Sequence, residues 1–316
     1  MLDAIRFVQG AVAKKDFVPV LTHFHIAGGI IRGYNGMLGL CSPIAVDLNA
    51  SPRAIPFVKA IQTCQENIQL HMTPAGKLAI KSGTFKANID CAQGTFPDME
   101  PEGAEIPLTG GLIAALRLLS PFIADDASRP WARGILFRNQ SAFATNNIIL
   151  IEHWLGSPFP VEVNIPRMAV IELLRIGEEP TRLQMTETNI TFHYTEGRWM
   201  RTQTYSTEWP DLESILNRPN VQEPIPDGMW DAVDALAPFT DELGRIHFLD
   251  DILATGVTPD SGAAVEVPGN KTGGCFNFKQ LALLKGVAAT IDFSAAPKPC
   301  IFYGDKLRGA IVGMRG

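Results

Sequence analysis

The sequence predicts an α+β chain of three similar domains in tandem, each with two helices packed on antiparallel sheets. Two observations carry that prediction. The first is a pair of phrases that recur at nearly one offset. Pro52-Arg53 opens one apolar run and Pro166-Arg167 another, 166 − 52 = 114 positions on, while Phe96-Pro97-Asp98 and Trp209-Pro210-Asp211 close the two stretches 210 − 97 = 113 apart. Two landmarks at matching spacing mark a duplicated unit of roughly 110 residues, and 316 residues leave room for a third copy. The second observation is order. Within each copy the apolar period runs helix, strands, helix, strands, which is not the alternation of a parallel sheet.

The elements follow in chain order. Leu2, Ile5, Val8 and Val12 share one face, so 2–15 reads as a helix ended by Lys14, Lys15 and Asp16. From Pro19 the run VLTHFHIAGGIIRGY alternates like strand, with Gly28-Gly29 and Asn35-Gly36 as turn signals, and LGLCSPIAVDL continues it. Ser51-Pro52 starts a second helix with Ile55, Val58 and Ile61 inward, because proline is favourable in a first turn. IQLHMTP, GKLAIKSG and TFKANIDC are three short strands, and PDMEPEG is an exit linker. The second copy repeats this plan. Helix 108–122 leads to strands GILFRN, SAFATN and NIILIEHW, then helix 166–176, strands TRLQMTE, NITFHYTE and RWMRTQTYS, and WPDLESIL closes the unit. In the third copy 228–239 and 276–287 are the helices, the second lying 277 − 166 = 111 from its counterpart, and KPCIFYGD and LRGAIVGMR are the closing strands. This copy is the shortest and lacks the Pro-Asp phrase. The domains are therefore 1–106, 107–220 and 221–316.

Composition narrows the function. Apolar residues make up 46% and charged residues 19%, which describes a soluble globular chain with ample core. The net charge of −6 means that nucleic acid is not attracted by the surface as a whole, only by a local basic patch. No run of about 18 apolar residues offers a membrane span. The amino-terminal run carries Asp3 and Arg6 and lacks a signal-peptide plan, so the protein is expected in the cytoplasm. Five cysteines, Cys41, Cys64, Cys91, Cys275 and Cys300, are widely spaced without a CxxC and read as reduced thiols.

An enzyme finds little support. GxSxG, HExxH and P-loop motifs are missing from the sequence. His23 and His25 stand two apart on a strand with no third ligand nearby, a structural pair rather than a metal site. Asp250-Asp251 has no accompanying base, and Gly273-Gly274-Cys275 has no histidine near it in sequence, so it reads as a turn. No metal and no cofactor is expected. The helices instead offer Arg6, Lys14, Lys15, Arg53, Lys59, Arg117, Arg167 and Arg175, with Lys279 and Lys285 in the third copy, whose first helix is made acidic by Asp231 and Asp234. Such cations are either solvated faces or a basic lining.

Taken in order, these stretches resemble the bacterial-type DNA polymerase III beta subunit, the sliding clamp. LDAIRFVQGAVAKKDFVPVLTHFHIAGG resembles that family's first helix and following strand, GKLAIKSGTFKANIDCAQGTFPDMEP the end of its first domain, NIPRMAVIELLRI its second-domain helix, and AIVGMRG its Met-Pro-Met-Arg-Leu ending, with Gly313 and Gly316 as departures. The resemblance covers essentially the whole chain and is weakest in the third domain. It implies a DNA clamp fold and a head-to-tail homodimer ring, with helices around duplex DNA, sheets outside, and retention by topology rather than chemistry. Phosphate contacts should then be few and sequence-blind. Lys15 matches a DNA-touching position at the end of the first helix, and Arg129 lies beside a similar inner-rim position.

The resemblance also implies a cleft that captures linear peptides with leucine and aromatic anchors from the replicative polymerase and the clamp loader. Its positions fall on Thr145, Asn147, Ile148, Ile149 and Leu150, on Pro210, Ser214 and Ile215, and on Ala310, Ile311, Val312, Met314 and Arg315. Where the family carries an acid-Gly-His-Arg-Leu run, this chain has Asn146-Asn147-Ile148-Ile149-Leu150. The altered rim and the short third domain point to a divergent clamp, of the kind a phage or plasmid would encode. A second reading keeps the fold but not the ring: a monomeric clamp homologue that competes for clamp-binding peptides.

Overall fold

The computed structural model describes residues 1–15, 18–126 and 128–314. It is an α+β structure in two compact units, residues 1–113 with 168–204 and residues 114–167 with 205–316.

The first unit is built on a seven-stranded antiparallel sheet. Its order is His25–Ala27, Ile30–Tyr34, Leu38–Pro43, Trp199–Gln203, Asn189–His193, Arg182–Met185 and Glu105–Pro107. Strands of the first and second repeats thus share one ladder, joined where Cys41 opposes Trp199 and Leu38 opposes Thr202. Helix Leu2–Val8 buries Ile5, Phe7 and Val8. Its close seat needs Gly33, where an added Cβ would lie 2.7 Å from the Val8 carbonyl oxygen. The expected helix 2–15 is shorter. The α-helix stops at Val8 and tightens into the 3₁₀ turn Gln9–Ala11, since Gly10 propagates a helix poorly. Lys14 and Lys15 therefore lie beyond the helix.

Pro19–Thr22 is likewise a 3₁₀ turn rather than strand, and His23 is held by it through a 2.7 Å contact from Nδ1 to the Pro19 carbonyl. His25 stacks on Phe96 at 5.1 Å. Helix Ala54–Thr63 starts after Pro52-Arg53 as read. Its buried face is Ala54, Phe57, Ala60 and Ile61, so Ile55 and Val58, expected inward, point elsewhere and Ile55 is 50% exposed. Beside it lies a three-stranded sheet, Gln69–Met72, Lys77–Ser82 and Phe85–Asp90.

The second unit repeats the plan. An eight-stranded sheet runs Val163–Pro166, Gly134–Arg138, Ser141–Thr145, Ile149–Trp154, Leu307–Ile311, Cys300–Gly304, Thr290–Ile291 and Glu223–Pro224, so the second and third repeats share this ladder. The four-stranded sheet Ala264–Glu266, Ile252–Ala254, Arg245–Leu249 and Gly274–Asn277 carries helices Met229–Leu236 and Phe278–Leu284. WPDLESIL does more than close a repeat. Asp211 caps helix Leu212–Leu216 by accepting a hydrogen bond from the Ser214 amide.

Candidate functional site

The join between the second and third repeats in the eight-stranded sheet creates a groove. Strand Ile149–Trp154 pairs on one side with Ser141–Thr145 and on the other with Leu307–Ile311, which sets Leu150 between Thr145 and Ala310. On that face Leu136, Phe143, Leu150, Ala310 and Ile301 form a cluster against Leu212 and Leu216 of the short capped helix, with Trp209 and Ile215 packed at its margin. Space remains beside this helix. A groove of about 170 Å³ is lined by Arg129, Trp131, Thr145, Asn147, Ile148, Ile149, Leu150, Pro210, Leu212, Ile215, Pro299, Ala310 and Val312.

Its rim is fixed by a tight turn. The Asn146 side chain accepts hydrogen bonds from the amides of Ile148 and Ile149, at 3.1 and 2.8 Å. Asn147 adopts φ +74°, a left-handed conformation that asparagine tolerates. The Thr145 hydroxyl donates to the Ile149 carbonyl at 2.7 Å and accepts from the Asn147 amide at 3.1 Å. Asn146 Nδ2 donates to Gln280 at 2.6 Å and Arg129 donates to Asn147 at 3.0 Å, so amides and one cation edge an apolar floor. Ile148 and Val312, 39% and 42% exposed, stand at the mouth, tied by the Val312 amide donating to the Ile148 carbonyl at 3.0 Å.

Nine of the expected cleft residues line this groove: Thr145, Asn147, Ile148, Ile149, Leu150, Pro210, Ile215, Ala310 and Val312. Four do not. Ile311 is fully buried, since strand alternation turns it away from the face of Ala310 and Val312. Ser214 lies on the outer side of its helix and donates back to the Asp211 carbonyl. Met314 lines another hollow, with His247, Phe248, Cys275 and Pro297, where its amide donates to the Cys275 carbonyl at 2.7 Å. Arg315 lies outside the described residues. Arg129, expected beside an inner-rim position facing DNA, also edges the groove. Trp131, Leu212 and Pro299 complete the lining beyond the expected set. The Asp-x-x-Ser capping spacing was a legible signal for Leu212, whereas Trp131 follows a proline in a 3₁₀ turn and showed none.

Strand pairing also answers the question left by Cys275. His247 lies directly opposite it, with Sγ and Nε2 4.0 Å apart. Burial pushes the thiol up and the imidazole down, so both are neutral near pH 7 and no thiolate nucleophile results.

The helix cations divide into two sets. Arg6 pairs with Asp3, Arg167 with Asp125, Arg175 with Glu172, and Lys285 with Asp231 and Asp234. Arg175 is a structural residue rather than part of a free basic face. Its guanidinium caps the first helix by donating to the carbonyls of Arg6 and Phe7, at 2.9 and 2.7 Å. Among the described residues Lys14, Lys15, Lys59 and Arg117 have no acidic partner, Arg53 stands near Asp90 without an ion pair, and Lys279 lies over the Phe278 ring at 5.8 Å.

No family model matches the chain, and no curated protein matches it by sequence. Solved structures match it by fold along its whole length. The C. crescentus beta sliding clamp aligns with 100% of this chain and 97% of its own at a TM-score of 0.85 and 18% identity. The DnaN sliding clamp (DNA polymerase III subunit beta) of Bartonella birtlesii, solved bound to griselimycin, gives 0.84 and 17% over the same shares. The DNA polymerase sliding clamp of Bacillus subtilis gives 0.81 and 17%, again over 100% and 97%. The chain has the sliding-clamp fold, and the alignments run through its short third repeat.

Proposed function

We propose that the chain is a DNA sliding clamp, a processivity factor that encircles duplex DNA and tethers a replicative polymerase and other partners through the groove beside Leu150. The observation that carries this is the full-length fold match together with an apolar groove at nine of the positions the resemblance implied. The repeats 1–106, 107–220 and 221–316 act as its three domains, and two copies joined head to tail make a ring of six. The protein acts by topology, not as an enzyme.

Two features support self-association. Strands Gln69–Met72 and Ala264–Glu266 lie at edges of the three- and four-stranded sheets that no bridge covers among the described residues, and a second copy can extend such an edge. Their charges are complementary. Lys81 stands directly opposite Lys86 in the three-stranded sheet, a like-charge pair that a neighbouring anion would relieve, and the four-stranded sheet offers Glu266 on its edge strand, with Asp250 and Asp251 in the turn between two of its strands. The third repeat also leaves Phe239 and Leu243 exposed, apolar surface that a partner copy would cover.

The cations without acidic partners are the ones left to meet phosphates. With so few, binding is weak and sequence-blind, as sliding requires. Static light scattering over a dilution series tests the assembly. The ring predicts a species of twice 34.4 kDa that persists on dilution. A monomer at every concentration would favour the competitor for clamp-binding peptides.

A further inference from the structure

A second hollow, of about 330 Å³, lies in the first unit between the end of the first helix and helix Ala54–Thr63. Its floor is apolar, from Val12, Ala13, Phe24, Ala54, Ile55 and Val58. Its rim carries two amides and two cations, Gln9, Gln62, Lys14 and Lys59. Gln9, Gln62, Lys14 and Lys59 are exposed, and among the described residues none has a side-chain hydrogen bond or ion pair.

The internal repeat shows that this rim is particular to the first copy. Matched by their buried faces, Phe57 with Val170 and Ala60 with Leu173, helices Ala54–Thr63 and Arg167–Ile176 align at an offset of 170 − 57 = 113, that of the two Pro-Asp phrases and one less than that of the Pro-Arg phrases. Ile55 then matches Met168 and Val58 matches Ile171. Ile55, Met168 and Ile171 are about half exposed, so both copies keep aliphatic side chains outward. Lys59 matches Glu172 and Gln62 matches Arg175. In the second copy these two bind each other, and Arg175 is spent on capping the first helix. In the first copy the same positions are free.

We infer that this hollow binds an unpaired nucleotide of single-stranded DNA, with its apolar floor holding a base and its cations shared with sequence-blind contact to the duplex. A base has an apolar face for Ile55 and Val58 and a mixed donor and acceptor edge for the glutamine amides, each of which offers both. Its flanking phosphates meet Lys14 and Lys59, with Lys15 and Arg53 adding positive charge nearby in sequence. The positive rim disfavours a cationic ligand. The inference rests on the clamp reading for bringing DNA to this face, but it is tested separately.

The test is fluorescence anisotropy with a labelled short oligothymidylate, beside retention of the same protein on circular duplex. Ile55→Gln removes apolar contact without changing charge. It should weaken oligothymidylate binding about fivefold, the scale of one to two methylenes left in water, while leaving duplex retention unaltered. The double variant Lys14→Gln, Lys59→Gln should reduce the salt slope by about 1.4, two phosphates at the single-strand coefficient. Equal oligothymidylate affinity in Ile55→Gln and the parent overturns the inference, as does equal competition by an acidic peptide. Loss of duplex retention in the parent would instead count against the clamp reading.

Discussion

Val312→Asp abolishes capture of a fluorescent peptide bearing leucine and phenylalanine anchors, while the protein keeps its thermal midpoint. Val312 is 42% exposed at the mouth of the groove and lies outside the buried cluster under helix Leu212–Leu216, so an aspartate there costs the fold little. It places a charge where an apolar anchor must desolvate. The central anchors of such sites are worth about 2 kcal/mol each, or about 30-fold in affinity. Ile148→Asp, across the mouth, should act alike, and Trp131→Ala should weaken binding by opening one wall. Met314→Asp should have a smaller effect than Val312→Asp, because Met314 lines another hollow. Unchanged peptide affinity in both Val312→Asp and Ile148→Asp, measured by anisotropy, would remove the groove as the partner site.

The second large effect concerns the open edge of the third repeat. Ala263 accepts from the Thr255 amide, and the Val267 amide donates to Asp251, both toward the neighbouring strand. Alternation then turns the backbone groups of Ala264 and Glu266 to the open side. Glu266→Pro deletes one outward donor without touching the internal ladder, and proline is tolerated on an edge strand. It also removes an acidic side chain that could face the Lys81 and Lys86 pair. A ladder hydrogen bond contributes about 1 kcal/mol, and a charge-assisted contact about 1.5 or more. A rise of tenfold or more in the dimer dissociation constant is expected, read by analytical ultracentrifugation, with circular dichroism unchanged. An unaltered dimer would place the self-interface elsewhere.

Much of the fold was legible because duplication leaves landmarks. Pro52-Arg53 and Pro166-Arg167 each announce a helix that begins within two residues of the proline, although both prolines lie just outside it, Pro52 in a bridge to Cys91 and Pro166 at the end of a strand. The first helix was read too long because Val12 continues the apolar spacing of Leu2, Ile5 and Val8 after the α-helix has given way to a 3₁₀ turn. Spacing records which residues share a face but not where the backbone tightens. The groove was partly legible for a similar reason. Thr145 to Leu150 sit in one hairpin and were found together, whereas Trp131 and Pro299 arrive from distant segments. Arg175 shows the limit most clearly. Its charge is plain in the sequence, yet its partners, the carbonyls of Arg6 and Phe7, lie more than 160 residues away and exist only after folding.

The central claim is topological retention, and one measurement reaches it directly. Protein diluted until its dimers dissociate is mixed with nicked circular duplex and reconcentrated, and retention on the DNA is followed by gel filtration at high salt. Phosphate contacts are lost under those conditions, whereas a closed ring cannot leave a circle. A sliding clamp predicts co-elution with the circle at high salt and release once a restriction enzyme linearises it. Release from circle and linear duplex alike as salt rises would contradict the account.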